Sequence, residues 1–126
     1  MRSLRFAWWW KLLGFVMVAA LILASLVPPP SSDLRLSDKQ LHFMSYAWLS
    51  FWFGAIYLKM NFGRIALALI AIGIGIEFAQ SATSYRSFEM ADMIADGLGT
   101  CAGLLLAATP FGGLLVLTER RLLRRG

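Results

Sequence analysis

Nine polar side chains suited to chemistry fall in three segments of this sequence, most of them at helical spacing. They are Asp38, Lys39, His42 and Tyr46, then Glu77 and Gln80, then Arg86, Asp92 and Asp96. Residues three or four apart share one face of an α-helix, so each segment would present a polar face. A histidine, an arginine and several carboxylates could together bind a charged group or move a proton.

The first hypothesis for this set is ligand binding. Arg86 would hold the phosphate or carboxylate of an envelope lipid or a lipid-linked precursor, and Asp92 would orient it. His42 and Tyr46 would donate hydrogen bonds. In the plainest alternative the same residues only hold the helices together, as buried polar side chains often do.

The second hypothesis is a membrane-embedded hydrolase or transferase that acts on such a lipid. His42 would be the general base, oriented by Asp38, and Arg86 would stabilise developing charge. Glu77 and Asp92 are further catalytic candidates. The sequence has no GxSxG, HExxH or P-loop motif, so the question of enzymatic activity stays open.

A metal site is a third hypothesis, because His42, Glu77, Asp92 and Asp96 are ligand types suited to zinc or manganese. No close-spaced ligand motif supports it, so we expect no metal, and the sequence indicates no particular cofactor. The single cysteine, Cys101, excludes an internal disulfide and any CxxC motif.

Composition shows which elements must position these residues. Of the 126 residues, 59% are apolar and only 15% are charged, with a mean hydropathy of +0.67. A soluble domain has too little polar surface for such a composition. Four apolar runs, near 6–27, 39–58, 64–82 and 92–117, are each long enough to cross a bilayer. We therefore expect one all-α domain over 1–126, an antiparallel bundle of four transmembrane helices.

The fourth run carries a possible interruption. Pro110, Gly112 and Gly113 could end the helix near Thr109 and leave 114–123 as a basic amphipathic tail at the membrane interface. Nearer the start of the run, Gly99 and Gly103 form a small-residue face that would let a neighbouring helix approach closely.

The distribution of basic residues predicts the orientation. Nine of the twelve fall on one side of the expected topology: Arg2, Arg5, Lys11, Lys59, Arg64, Arg120, Arg121, Arg124 and Arg125. By the positive-inside rule this side is cytoplasmic and holds both termini. Basic residues at the ends of apolar runs leave no stripe for nucleic acid. The nine candidate residues then converge on the extracytoplasmic end, where the partner would be a membrane lipid.

The pattern Asp38-Lys39-x-x-His42-Phe43-x-x-Tyr46, Glu77-x-x-Gln80 and Arg86-x-x-x-x-x-Asp92-x-x-x-Asp96-x-x-Gly99 resembles the VanZ-like family of bacterial membrane proteins. The resemblance covers roughly the last three helices. It implies a multi-pass protein of the bacterial inner membrane with an envelope role, and an influence on sensitivity to the glycopeptide antibiotic teicoplanin. One departure is Asp96, where many relatives carry asparagine.

Overall fold

The structure, a computed structural model, describes residues 2–28 and 38–126. These residues form five α-helices: α1 (Ala7–Leu26), α2 (Asp38–Ile56), α3 (Phe62–Ser81), α4 (Met90–Ala108) and α5 (Leu114–Arg125). Short 3-10 helices, Lys59–Asn61 and Pro110–Gly113, precede α3 and α5. No strand occurs in the described ranges, which confirms the all-α prediction.

Three stretches of the described chain are long and apolar enough to cross a membrane: Ala7–Leu26, Lys59–Ser81 and Met90–Ala108. The expected count of four is therefore not confirmed. α2 has 19 residues but does not meet the same hydropathy criterion. Its first two turns carry Lys39, Gln40 and His42, and these polar residues lower its mean hydropathy.

The predicted run 92–117 is not one helix, and the suggested interruption is present. α4 ends at Ala108, where Pro110 supplies no backbone donor to continue the helix. Thr109 Oγ1 accepts a hydrogen bond from the backbone N–H of Phe111 at 3.3 Å and starts the 3-10 turn. A side chain at Gly112 would overlap the carbonyl oxygen of Ala107, so this tight return requires glycine.

α2 and α4 form the most extensive helix pair in the described chain. Glycines make the close approach possible. A Cβ at Gly99 would overlap the backbone carbonyl of Phe43, and a Cβ at Gly103 would overlap Ser50 and the carbonyl of Ala47. The predicted small-residue face of α4 thus packs against α2 within one chain, and it brings the polar faces of both helices together.

Arg2 joins the carboxyl ends of these two helices. Its backbone N–H donates to the carbonyl of Ile56 at 3.0 Å, and its guanidinium donates to the carbonyls of Tyr57 at 3.4 Å and Ala107 at 3.0 Å. The last carbonyls of a helix have no intrahelical donor and carry its partial negative charge. A cation here satisfies both ends at once.

Glu119 of α5 caps the start of α1 in a similar way. Its carboxylate accepts hydrogen bonds from the backbone N–H of Arg5 at 2.7 Å, that of Phe6 at 2.8 Å and the indole of Trp10 at 2.6 Å. Burial would raise the pKa of Glu119, but the hydrogen bonds from Phe6, Trp10 and Arg5 outweigh burial and lower that pKa below its ordinary value. The start of α1 and α5 therefore lie at the same end of the molecule.

We call this end, which holds Arg2, Glu119 and the starts of α1 and α3, the basic end, and the opposite end the polar end. The carboxyl ends of α2 and α4 are also at the basic end, through Arg2. The four long helices consequently run antiparallel in chain order. His42, Gln80 and Asp92 all lie at the polar end.

Candidate functional site

His42 is the centre of the polar end. Its Nδ1 lies 2.7 Å from Asp96 Oδ1, and its Nε2 lies 3.8 Å from Asp92 Oδ2. Asp92 and Asp96 are one turn apart on α4, so the two carboxylates bracket a single imidazole ring from α2. When the ring is protonated, both nitrogens face an anion, and the hydrogen bond to Asp96 fixes the plane of the ring.

The other carboxylate oxygen of Asp96 packs against α3. Asp96 Oδ2 and the hydroxyl of Tyr46 both lie against Gly73 of α3, where a Cβ would be 2.7 Å from the first oxygen and 3.2 Å from the second. Neither oxygen has a hydrogen-bond partner among the described residues. Glycine at this position thus leaves room for two buried polar groups between α2, α3 and α4.

Glu77 connects α3 to the start of α4. Its Oε1 accepts a hydrogen bond from the backbone N–H of Glu89 at 2.5 Å. Glu89 immediately precedes the first turn of α4, where an anion interacts favourably with the helix dipole. This hydrogen bond comes from the backbone and not from a side-chain cation.

The three acids of the cluster are almost fully enclosed by the protein. Glu77 is 1% exposed, Asp96 is 2% exposed and Asp92 is 4% exposed. Burying ionised carboxylates costs several kcal/mol each unless hydrogen bonds and opposite charges compensate, so such clusters are concentrated at functional sites or at rigid structural cores.

A cavity of about 230 Å³ lies beside this cluster, between α1, α2 and α3. His42 and Arg86 supply its cationic groups, and Ser45 and Gln80 supply neutral polar groups. The remaining described lining residues are Leu21, Ala24, Ser25 and Leu41. The acids therefore lie behind His42, while the histidine and the arginine face the open volume.

Gln80 also positions α1. Its amide donates to the carbonyl of Ser25 at 2.8 Å, near the end of that helix. The hydroxyl of Tyr85 donates to the carbonyl of Leu26 next to it. These two bonds hold α1 against the α3–α4 loop and close one side of the cavity.

Of the nine predicted residues, three line the cavity: His42, Gln80 and Arg86. Four others are buried in the cluster next to it: Tyr46, Glu77, Asp92 and Asp96. Lys39 belongs to neither group. Lys39 forms an ion pair with Glu89 at 3.2 Å in which both side chains are about half exposed. The side chain of Asp38 lies outside the described residues, so its expected role in orienting His42 stays a prediction. Among the described side chains, Asp96 orients the ring through the contact at 2.7 Å.

The geometry does not bring together a metal-binding set. Within residues 2–28 and 38–126, no three His, Cys, Asp or Glu side chains converge in a way that could hold a metal ion. Instead, the arrangement offers a pocket wall with a guanidinium and an imidazole, and carboxylates lie behind the imidazole. Such a wall can bind an anion, and an oriented imidazole on it can also accept a proton.

Sequence reasoning missed Ser45 and Ser25 as lining residues of this cavity. Ser45 is three residues after His42, so helical spacing could have placed it on the same face. Ser25 lies near the end of an apolar helix, and only the three-dimensional packing of α1 brings it to the cavity.

Comparisons with known proteins give one family. A model of the family described as VanZ/LLP1 matches residues 3–117. An uncharacterized protein of the fission yeast Schizosaccharomyces pombe is 31% identical over 100 residues, which is 76% of this chain. The matched region covers 62% of the yeast protein, so the chain spans less than two thirds of that relative. No solved structure matches.

Proposed function

Because this chain belongs to the VanZ/LLP1 family, we propose that it is a multi-pass membrane protein that binds the anionic head group of a membrane lipid. The observation that carries the proposal is the cavity of about 230 Å³ that His42 and Arg86 line together. No carboxylate is among its described lining residues. A phosphate or carboxylate in a low-dielectric site requires such charged donors.

The rest of the cavity fits an amphiphile. Leu21, Ala24 and Leu41 offer apolar surface for the first carbons of an acyl chain, and Ser45 can donate to a head-group oxygen. A phospholipid or a lipid-linked envelope precursor satisfies this chemistry. Because one relative comes from a fungus, a lipid that occurs in both bacteria and fungi is a better candidate ligand than a precursor confined to bacteria. An effect on glycopeptide sensitivity would follow indirectly.

We also infer that α2 crosses the membrane, which gives four spans. Glu119 of α5 binds the backbone at Arg5 and Phe6, so both ends of the described chain lie on one side of any membrane. An even number of crossings is then required. With the three apolar helices α1, α3 and α4 as spans, α2 must be the fourth. By the positive-inside rule, the excess of basic residues supports a cytoplasmic location for this end, in a protein of the bacterial inner membrane.

Lipid binding by purified protein tests the proposed function. Native mass spectrometry would measure the affinity for phosphatidylglycerol of the wild type, Arg86→Gln and His42→Gln. We expect Arg86→Gln to lower the affinity for one phosphatidylglycerol molecule by about tenfold, which corresponds to about 1.4 kcal/mol of binding free energy. Lys39→Gln is the matched control, because this cation lies at the same end but outside the cavity. Unchanged affinity in Arg86→Gln and His42→Gln would contradict the proposal.

Thermal unfolding of the same variants separates binding from packing. If the cluster only holds the helices together, both variants should lose stability without a selective loss of phosphatidylglycerol over phosphatidylcholine. If the cluster forms a binding site, Arg86→Gln should lose phosphatidylglycerol selectively with little change in the unfolding temperature. His42→Gln should lose it selectively too, but with some loss of stability because the bond to Asp96 is removed.

The second candidate function is hydrolysis or transfer at the lipid head group. The contact of 2.7 Å between His42 and Asp96 favours it, because an oriented imidazole beside a cavity can act as a general base. Release of a labelled head group by the wild type, abolished in His42→Gln, would support this function. If the lipid stays intact after long incubation, the hydrolase or transferase function is contradicted and lipid binding remains as the proposed function.

A further inference from the structure

A second cavity lies at the basic end, on the opposite half of the bundle from the polar cluster. Its volume is about 370 Å³, and it forms a groove along α1 and α3 with α2 as its floor. Apolar side chains make up its walls: Phe15 and Val18 of α1, Phe53 of α2, and Ile65, Leu69 and Ile72 of α3.

The groove exists because α1 packs on α2 and leaves a gap beside α3. Gly14 lets α1 approach, since a Cβ there would be 2.8 Å from the ring of Phe53. Phe15 and Phe53 then contact each other with ring centroids 5.6 Å apart. This contact holds α1 against α2 at one side of the groove. The packed aromatic rings therefore set the width of the groove.

The length of the groove suits an acyl chain. Along α3 its lining runs from Arg64 to Ile72, which is nine residues and about 12 Å of helix. Phe15 is 61% exposed, so the groove opens to the hydrocarbon that surrounds the bundle. In a bilayer such an apolar groove is filled by lipid or by another helix.

The polar mouth of the groove distinguishes these occupants. Asn61 and Arg64 line its end at the start of α3. Lys11 lies close by, with its ammonium 5.3 Å from the ring centroid of Tyr57, which is also a lining residue. None of the described lining residues is acidic. The mouth thus offers positive charge where the groove reaches the membrane surface.

We propose that this groove binds one anionic phospholipid from the leaflet at the basic end, with an acyl chain along Val18 and Leu69 and its phosphate at Arg64. The charge complementarity at the mouth favours a lipid over a second copy of this chain, whose basic end would bring further positive charge to Arg64. The site is separate from the cavity at His42 and does not depend on the function proposed for it.

Native mass spectrometry of the full chain with phosphatidylglycerol or phosphatidylcholine tests the proposal. We expect two tightly bound phosphatidylglycerol molecules on the wild type. Arg64→Gln should lower the affinity for one of these two molecules by about tenfold, as expected when a charge-assisted contact is lost. Lys59→Gln removes a charge from the adjoining turn outside the groove and should change nothing. Arg86→Gln should leave this site intact, so failure at one site is distinguishable from failure at the other.

A second pair of variants tests the apolar part of the groove. Ala68→Trp places an indole in the lining and should reduce binding of both lipids at this site. Ala71→Trp adds the same group on α3 outside the lining and serves as its control. The proposal is overturned if Arg64→Gln binds phosphatidylglycerol like the wild type. It is also overturned if a protein dimer is observed that Ala68→Trp abolishes while lipid binding stays unchanged, because a second copy would then be the occupant.

Discussion

At the scale of single residues, the polar end depends on a close meeting of three helices. Asp96 bonds His42 through one oxygen, and its other oxygen lies against Gly73 beside the hydroxyl of Tyr46. The carboxylate cannot turn away without losing the contact of 2.7 Å to the imidazole. Packing of Asp96 against Gly73 of α3 thus helps to fix the orientation of His42, although no described residue of α3 forms a hydrogen bond to the ring.

Replacing Gly73 by alanine should therefore disturb the cluster. The added Cβ would lie 2.7 Å from Asp96 Oδ2, so the carboxylate must shift and the bond to His42 must weaken. We expect a loss of about 1 to 3 kcal/mol in the free energy of unfolding, measured by denaturant in detergent. Gly75→Ala is the control, because a Cβ there meets nothing within 4 Å. Equal stability of the two variants would contradict this account.

Much of the fold could be predicted from the sequence, because apolar runs and prolines act locally. The break after Ala108 follows from Pro110 and the glycines, and helical spacing correctly placed Asp92 and Asp96 on one face. The roles of Arg2 and Glu119 could not be predicted, because their partners are more than 50 residues away. The only signal was that Glu119 is an acid among the arginines of a basic tail.

At the scale of helices, α5 acts as a cap for α1. Glu119 satisfies two backbone donors at the start of α1, and the bond to Trp10 adds a third. Leu115, one turn earlier on α5, packs into the cluster that contains Trp52 and Phe53. One face of α5 therefore belongs to the protein, while its arginines remain exposed for the membrane surface.

The cap should make stability depend on pH. The pKa of Glu119 in the folded protein lies below its ordinary value of 4.5. Its contribution is therefore complete above about pH 4.5 and is lost as the pH falls through the lower pKa of the folded state. At neutral pH, Glu119→Gln should lower the free energy of unfolding by about 1 to 3 kcal/mol. The difference in unfolding temperature from the wild type should shrink in acid, whereas the exposed Arg120→Gln should show no such trend.

At the scale of the whole molecule, the number of membrane crossings decides where each site faces. The antiparallel arrangement puts the His42 cavity and the Arg64 groove at opposite ends, so the two proposed lipids come from different leaflets. We expect four crossings, because three would place α5 and the start of α1 on opposite sides although Glu119 bonds Arg5 and Phe6.

Labelling of single cysteines tests this topology. In a Cys101→Ala background, a membrane-impermeant maleimide should label Ser84→Cys from outside intact cells. Ser3→Cys and Thr118→Cys should react only after the membrane is permeabilised. Ser84, Ser3 and Thr118 are all exposed in the isolated chain. Labelling of only one of these two from outside would indicate an odd number of crossings and would refute the four-span arrangement.

The contacts of Arg2 also have a consequence for the order of biosynthesis. Arg2 is translated 105 residues before Ala107, and Arg5 is translated 114 residues before Glu119. During translation the residues before α1 cannot complete these contacts until α4 and α5 have left the ribosome. A nascent chain stalled before α5 would keep the start of α1 uncapped, so we expect it to be more open to proteolysis than a chain that includes α5.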